Sequence, residues 1–535
     1  MAPRNDREEF VRLTEKLIDK ILTCTQVPLP AGMSADLEWQ YFEEIHDLMV
    51  ELIDTQEKLA KEFRKTLPKP KGSIADRLAK FKKWLIANGV DKDVPIDFKA
   101  DLEEGIGAVA TRKIKAGEEI LKIPRSLMLT TLSAQRSVRI REFLNADRQR
   151  RNDLPMSVLL ILHILEHKHD PTSNFKAYLD VLPESFPLPV FYAPSEMVAL
   201  KGTTAVRDAA QRLREVLRGY ALTYYAVEKS KLLSVWQYTF SEYRWAACVL
   251  YTRQNSIPGY SQAEAAEFKK MGVETERLPR QVLALIPGWD FINSKDGLEI
   301  TSTNDFDEGA QVFTAPETVK EGQQIYMSYF TTRSNRDRFL CSGFISDEPV
   351  KGDFLPVPFK FVKSKNVEER RELLLNKYAR QAPFPLNIQA PLLENHDNVI
   401  GTLVCAFGTA ADLEFVGTLA DCSDENTPMP ERHAVLRDNL AKTAKAYSEG
   451  KIACVGKILQ YIQTQAELYL ARSDECAAVA AAELEKVQAE LKASPKRRSD
   501  TRVQVRRNAA LYALAEIKFA QSIIAYTESE RAALN

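Results

Sequence analysis

Three stretches carry the side chains best suited to chemistry. They are Arg253-Gln254-Asn255, Trp289-Asp290-Phe291-Ile292-Asn293, and Tyr329 with Arg333 close behind it. Each lies at the edge of a short apolar run. Leu283–Pro287 leads into the tryptophan, and Ile325–Ser328 leads into the tyrosine. A core has no use for so many polar groups at the ends of buried strands, whereas a site assembled at strand ends does. Tyr329 alone would be an ordinary strand tyrosine. The company of Arg253, Asn255, Asp290 and Asn293 is what marks it.

Other motifs suggest other chemistry and have simpler explanations. His163-Ile-Leu-Glu166-His167 has the HxxEH spacing of a zinc-peptidase helix, in which histidines at i and i+4 share a metal. No third ligand is evident, and a buried helix with polar residues on its exposed side gives the same pattern. Glu104-Gly-Ile-Gly107 sits between strand patterns and does not open a helix, so it is not a dinucleotide fingerprint. Its glycines would still let backbone approach a ligand. Lys496-Arg-Arg498 with Arg502, Arg506 and Arg507 is basic enough for a nuclear signal or an anion patch. A solvated loop between helices is the plainer reading. Cys341 has no histidine near it in sequence and reads as a free thiol rather than a nucleophile.

The elements that must position these residues follow from periodicity. Phe10, Leu13, Leu17, Ile18 and Ile21 recur at helical spacing, as do Phe42, Ile45, Leu48, Met49 and Leu52. Ser73 is placed to cap a helix carrying Phe81, Trp84 and Leu85, which Asn88-Gly89 ends. From Val94 the period turns strand-like through Glu119–Pro124, with a turn at Lys115-Ala-Gly117. Residues 132–250 return to helix, and strands resume from 283 to 344. Beyond Phe359 the chain reads as helix, with alanine- and glutamate-rich runs at 476–492 and 508–526.

The 535 residues exceed one ordinary core. Hydrophobic residues at 45% and charged residues at 27% are those of a globular protein. A formal charge of -1 gives no whole-chain field toward nucleic acid or membrane. No apolar run has the length of a membrane span, and the first residues lack the apolar core of a signal peptide. The seven scattered cysteines form no CxxC pair, which points to reduced thiols in cytoplasm or nucleus and against structural zinc.

Taken together, Glu103-Glu-Gly-Ile-Gly107, Thr252-Arg-Gln-Asn-Ser-Ile-Pro258, Leu283 to Asn293, Glu321 to Tyr329, Thr332-Arg-Ser-Asn335 and Ser342-Gly-Phe344 carry a resemblance. The chain resembles the SET-domain protein methyltransferases of the Rubisco large-subunit class, and within that class most of all the actin-histidine branch. The resemblance covers residues 70–350 well and the two helical ends more loosely. It implies an α+β fold: a SET β core with a pseudoknot, split by a helical insertion at about 132–250. A helical N-terminal region (1–93) precedes the SET domain (94–347), and an all-α substrate-binding domain (348–535) follows it. It implies S-adenosylmethionine as methyl donor, S-adenosylhomocysteine as product, and a protein substrate, actin. By motif match Glu104, Gly105, Ile106, Arg253, Asp290, Phe291, Asn293, Ser294, Tyr329 and Ser342 would contact the donor. Arg253 would take its carboxylate, a task that suits a guanidinium fork. Tyr329 and Asn255 would carry catalysis. Asn255, Trp289, Arg218 and Arg333 would hold the substrate, and no metal is implied.

The chain departs from the family pattern in three places. Ser294 stands where the family has histidine. An extra residue separates Tyr329 from Arg333, in place of the family's Tyr-Gly-Thr-Arg. An arginine expected before Trp84 is out of register, Arg77 being the nearest. A lysine acceptor and a non-catalytic SET scaffold remain as other readings.

Overall fold

The computed structural model describes the chain except residues 1–3, 28, 31–32, 67–69, 147–153, 261, 271–280, 300, 306–308, 330–332, 347, 364–365, 392–398, 424–426 and 535. It opens with three helices, α1 (Arg4–Cys24), α2 (Ala35–Thr66) and α3 (Ile74–Ala87). Phe10, Leu17, Ile18 and Ile21 of α1 and Phe42, Ile45, Leu48, Met49 and Leu52 of α2 are buried, as their spacing requires. Ser73 caps α3 through a reciprocal box with Asp76.

The β elements are short and fall into several small sheets. β1 (Ile96–Leu102) and β2 (Gly105–Ala110) form an antiparallel hairpin. β3 (Glu119–Pro124), β8 (Ser302–Asp305) and β9 (Ala310–Thr314) form a second sheet in the order β3-β9-β8. β4 (Leu129–Thr130), β5 (Asn255–Pro258) and β6 (Gln281–Leu285) form a third in the order β4-β6-β5. β7 (Asn293–Ser294) pairs parallel with β10 (Tyr326–Met327).

Between β4 and β5 runs the helical insertion: α4 (Thr131–Arg136), α5 (Val138–Ala146), α6 (Met156–His169), α7 (Lys176–Leu179), α8 (Ala205–Ser230) and α9 (Phe240–Arg253). Every residue of α6 from Val158 to Leu165 is buried, which explains why its apolar run shows no helical stripe. A further helix, α10 (Gln262–Lys270), lies between β5 and β6, in a stretch to which the sequence assigned no element.

A short turn, α11 (Asn335–Asp337), leads through Arg338–Ser342 into the C-terminal region. That region is helical in bulk: α12 (Val367–Tyr378), α13 (Val399–Phe407), α14 (Ala410–Gly417), α15 (Met429–Ser448), α16 (Val455–Arg472), α17 (Asp474–Ala493) and α18 (Thr501–Ala533). The all-α expectation needs one addition. β11 (Leu355–Phe359) and β12 (Phe384–Ile388) pair as an antiparallel ribbon. Prolines at 356, 358 and 385 hide these strands from a periodicity reading, and a free ribbon edge tolerates them.

α18 joins the two large cores. Its Ala509, Ala510 and Ala513 belong to the core built by the N-terminal helices, the strands and the helical insertion, whereas Phe519, Ala520 and Ile523 belong to the C-terminal one. Buried Glu516 fixes this helix to the start of α8. It accepts from the Thr204 amide at 3.0 Å, the Tyr512 hydroxyl at 2.6 Å and the Tyr469 hydroxyl.

Candidate functional site

α9 ends at Arg253, and the chain turns extended at Gln254 into β5, so Arg253 and Asn255 stand at a helix-to-strand junction. The Asn255 amide nitrogen donates back to the Arg253 carbonyl at 3.1 Å, which fixes that side chain against the turn. β6 registers Ala284 against Asn255, and the chain then breaks at Pro287-Gly288. Gly288 has φ +92, where an L side chain would be strained and would also press on Leu85. One 3-10 turn follows, Trp289–Phe291, and it turns Asp290 inward.

Asp290 is the most buried charge of the site, its side chain 1% exposed. Its Oδ2 accepts from the Tyr178 hydroxyl and lies 3.8 Å from Arg253 Nη1. The same Nη1 donates to the Asp290 carbonyl at 2.5 Å, and the guanidinium stacks 4.9 Å over the Phe291 ring. Burial pushes the Asp290 carboxyl up to about 6, against the pull of Arg253 and the Tyr178 hydrogen bond. Asp290 Oδ1 and Arg253 Nε, both buried, have no hydrogen-bond partner among the described residues. An unpaired buried donor and an unpaired buried acceptor side by side are costly in a bare protein. Both are closed to solvent here, and a ligand bearing both a carboxylate and an ammonium would satisfy them on opening that corner.

Tyr329 follows β10. Its hydroxyl donates to the Ile292 carbonyl at 2.8 Å, and its amide donates to Ser294 Oγ at 3.2 Å. Ser294, at the position where histidine was expected, therefore ties the tyrosine strand to β7. Burial pushes the Tyr329 phenol up to about 12 despite Arg253, so it stays protonated at neutral pH.

A cavity of about 250 Å3 joins these groups. Arg253, Asn255, Trp289, Asp290, Tyr329, Arg333 and Ser342 all line it, so the structure brings these sequence candidates together. Trp289 is buried edge-on against Phe313, 5.1 Å between centroids. Glu104, Gly105, Ile106, Asn293 and Ser294 form an adjoining corner. There Asn293 Nδ2 donates to the Ile106 carbonyl at 3.1 Å, and Glu104 accepts from the Tyr326 hydroxyl at 3.1 Å. A side chain at Gly107 would meet Asn293 Nδ2 at 2.8 Å and so displace that amide. Phe291 lies in the core beneath Arg253 rather than on the cavity wall.

Arg218 needs correcting. It donates to the Thr25 carbonyl at 3.1 Å, against the N-terminal helices, and is not among the residues lining the cavity. The α8 arginine nearer the site is Arg212, which packs behind the cavity wall without lining it. It stacks 4.7 Å over cavity-lining Tyr251 and contacts Cys341 Sγ at 3.6 Å. Tyr251 and Tyr178 were both missed from sequence. Arg77, left without a role, donates to the Asp180 carbonyl at 2.5 Å beside α7. The extra residue between Tyr329 and Arg333 lies outside the described residues.

The HxxEH helix lines a second cavity, of about 470 Å3. His163 holds Glu166 at 3.1 Å through Nδ1 and Ser133 at 3.1 Å through Nε2, so both its ring nitrogens are engaged within the protein. Among the described residues no group of three or more metal-ligating side chains is found. The basic cluster is largely ion-paired: Arg506 bonds Glu483 at 2.6 Å and Glu490 at 2.9 Å, and Arg497 pairs with Asp500. Among the described residues no helix is long and apolar enough to cross a membrane.

A SET domain family profile matches residues 105–330. Actin-histidine N-methyltransferase of Gallus gallus is 30% identical over 344 residues, covering 64% of this chain and 52% of that protein. The enzyme of the same name from Mus musculus is 31% identical over 346 residues, with the same coverage. The chain thus spans about half the length of the curated relatives it matches. The fold is shared with Rubisco LSMT. A structure of its SET domain bound to lysine and AdoHcy aligns with TM-score 0.57 at 17% identity, covering 87% of this chain and 93% of that one. Rubisco LSMT bound to AdoMet aligns with TM-score 0.55 at 17% identity, covering 86% and 93%.

Proposed function

We propose that the chain is an S-adenosylmethionine-dependent protein-histidine N-methyltransferase that modifies a histidine of actin. The observation that carries this reading is the unpaired Arg253 Nε and Asp290 Oδ1, set beside Tyr329 in the cavity that Asn255 and Trp289 also line. The residues present fit the donor. Arg253 would hold its carboxylate and Asp290 Oδ1 its ammonium, with Ser342 on the same wall. S-adenosylmethionine supplies, when bound, a methyl on a cationic sulfur and leaves as S-adenosylhomocysteine.

The rest of the task falls to the chain's own side chains. In-line transfer needs acceptor, carbon and leaving sulfur aligned and water kept out. Tyr329, pinned through its hydroxyl and its amide, gives a fixed wall for that alignment. An imidazole acceptor must be neutral and in one tautomer. The Asn255 amide would bond the far ring nitrogen and direct the free lone pair at the methyl, and Trp289 would offer the ring a flat surface. A lysine would need to shed a proton first. Asp290, a carboxylate lining the cavity, would in this reading be taken up by Tyr178, Arg253 and the donor's ammonium. The actin substrate is supported by the names of the relatives alone. The seven free cysteines are compatible with the cytoplasm as the place of action.

The test is transfer of label from S-adenosylmethionine to an actin peptide holding its methyl-accepting histidine, beside the same peptide with that histidine replaced. Label on the first peptide alone is expected, and Asn255→Ala should cut it. Equal label on both would mean that another residue, such as lysine, is the acceptor and would sink the histidine assignment.

A further inference from the structure

We infer that Tyr178 is a positioning residue for donor binding, fixing the Asp290 carboxylate so that the Asp290–Arg253 pair meets the donor's amino-acid end. The inference rests on the donor reading above and adds a part that lies outside the SET strands. Tyr178 belongs to the four-residue helix α7, 112 residues before Asp290 in sequence, and is fully buried. Its ring is wedged beside Phe81 and Phe291, each at 6.1 Å. Packing therefore fixes the hydroxyl, and it donates to Asp290 Oδ2. That leaves Oδ1 as the oxygen without a partner among the described residues.

The arrangement has a direction. A phenol kept protonated by burial can only donate to the carboxylate, so it favours the ionised form. The other charged or titratable groups that bear on Asp290 are Arg253, from α9, and Tyr329, after β10; the Gly288 backbone supports it as well. Arg253 also favours the ionised form, and burial opposes it. Without the Tyr178 hydroxyl the balance would tip toward a neutral carboxyl. A neutral Asp290 attracts Arg253 less and offers an ammonium little. Tyr178 would thus touch neither donor nor substrate, and would act through Asp290.

The test is calorimetry of the full chain with S-adenosylhomocysteine between pH 5.5 and 8.5, for the unsubstituted protein, Tyr178→Phe and Asp290→Asn. Phenylalanine keeps the ring packing and removes only the hydroxyl. Affinity of the unsubstituted chain is expected to weaken as pH falls through about 6. In Tyr178→Phe the midpoint of that loss should move up by about one unit, giving roughly threefold to fivefold weaker binding at pH 6 to 6.5 and full recovery by pH 8.5. Asp290→Asn should bind weakly with no such dependence. A Tyr178→Phe curve that runs parallel to the parent, or coincides with it, would overturn the inference and leave the donor reading standing. No binding by the unsubstituted chain at any pH would overturn both.

Discussion

Beside His163 a cavity of about 470 Å3 is lined by polar and charged side chains that satisfy one another. Ser133, His163, Glu166 and Ser137 form one chain of hydrogen bonds, 3.1, 3.1 and 2.6 Å in turn. Arg125 and Arg136 both pair with Glu264, at 3.2 and 3.3 Å. Beside Tyr329 a smaller cavity of about 250 Å3 holds Arg253 and Asp290, each with a buried atom left unpaired. The two regions use similar residue types. Volume alone would favour the first as the site. Completeness of pairing favours the second, because a network already satisfied gains little from a ligand, whereas an unsatisfied one gains the hydrogen bonds it lacks.

The contrast is best broken by substitution on each side. Tyr329→Phe should have the largest effect. Loss of the hydroxyl that pins the ring to Ile292 should slow methyl transfer by about a hundredfold while donor affinity changes far less, seen as a fall in kcat with little change in donor Kd. Equal losses in both would make Tyr329 a binding residue only. On the other side, His163→Ala should lower stability by about 2–3 kcal/mol, because Glu166 and Ser133 lose a buried partner. Donor affinity should stay unchanged. Thermal unfolding and calorimetry on one preparation decide this, and lost donor affinity would show that the second cavity serves the site.

Much of this comparison was legible in the sequence, and the physical reason is locality. Arg253–Asn255, Trp289–Asn293 and Tyr329 lie at strand ends, where polar residues interrupt apolar runs, so spacing exposed them. Tyr178 was invisible because its partner lies 112 residues away and its own helix is four residues long. Arg218 was misplaced by helix geometry. Arg212 and Arg218 lie six residues apart, about 240° around an α-helix, so the two do not share a face. Arg214 and Arg218, four apart, share the opposite face and both donate to the Thr25 carbonyl. The HxxEH pattern does lie on a buried helix, but His163 is buried with it rather than on an exposed side, its ring nitrogens held by Ser133 and Glu166.

The smallest expected effect is a difference in sign. Burial lowers His167 to about 4, so the unfolded chain takes up a proton first, and stability is lost as pH falls from about 6.5 toward 4. Asp290 is raised to about 6, so its contribution is full below the ordinary carboxylate value of 3.8 and is lost as pH rises through 6. Relative to the parent, His167→Gln should therefore gain stability toward pH 4, and Asp290→Asn toward pH 6 and above. Unfolding midpoints across that range should show opposite slopes. Parallel slopes would mean that one of the two groups is not buried as described.

The central claim is that the unpaired corner at Arg253 and Asp290 receives the amino-acid end of the donor. Calorimetry with S-adenosylmethionine and with 5′-methylthioadenosine, which lacks that end, tests it directly. The unsubstituted chain should bind the first more tightly. Arg253→Ala should weaken it by about 10- to 100-fold, as expected for a lost charge-assisted contact of roughly 1.5–3 kcal/mol, and leave the second nearly unchanged. Equal weakening of both ligands, or equal affinity of the unsubstituted chain for the two, would contradict the claim.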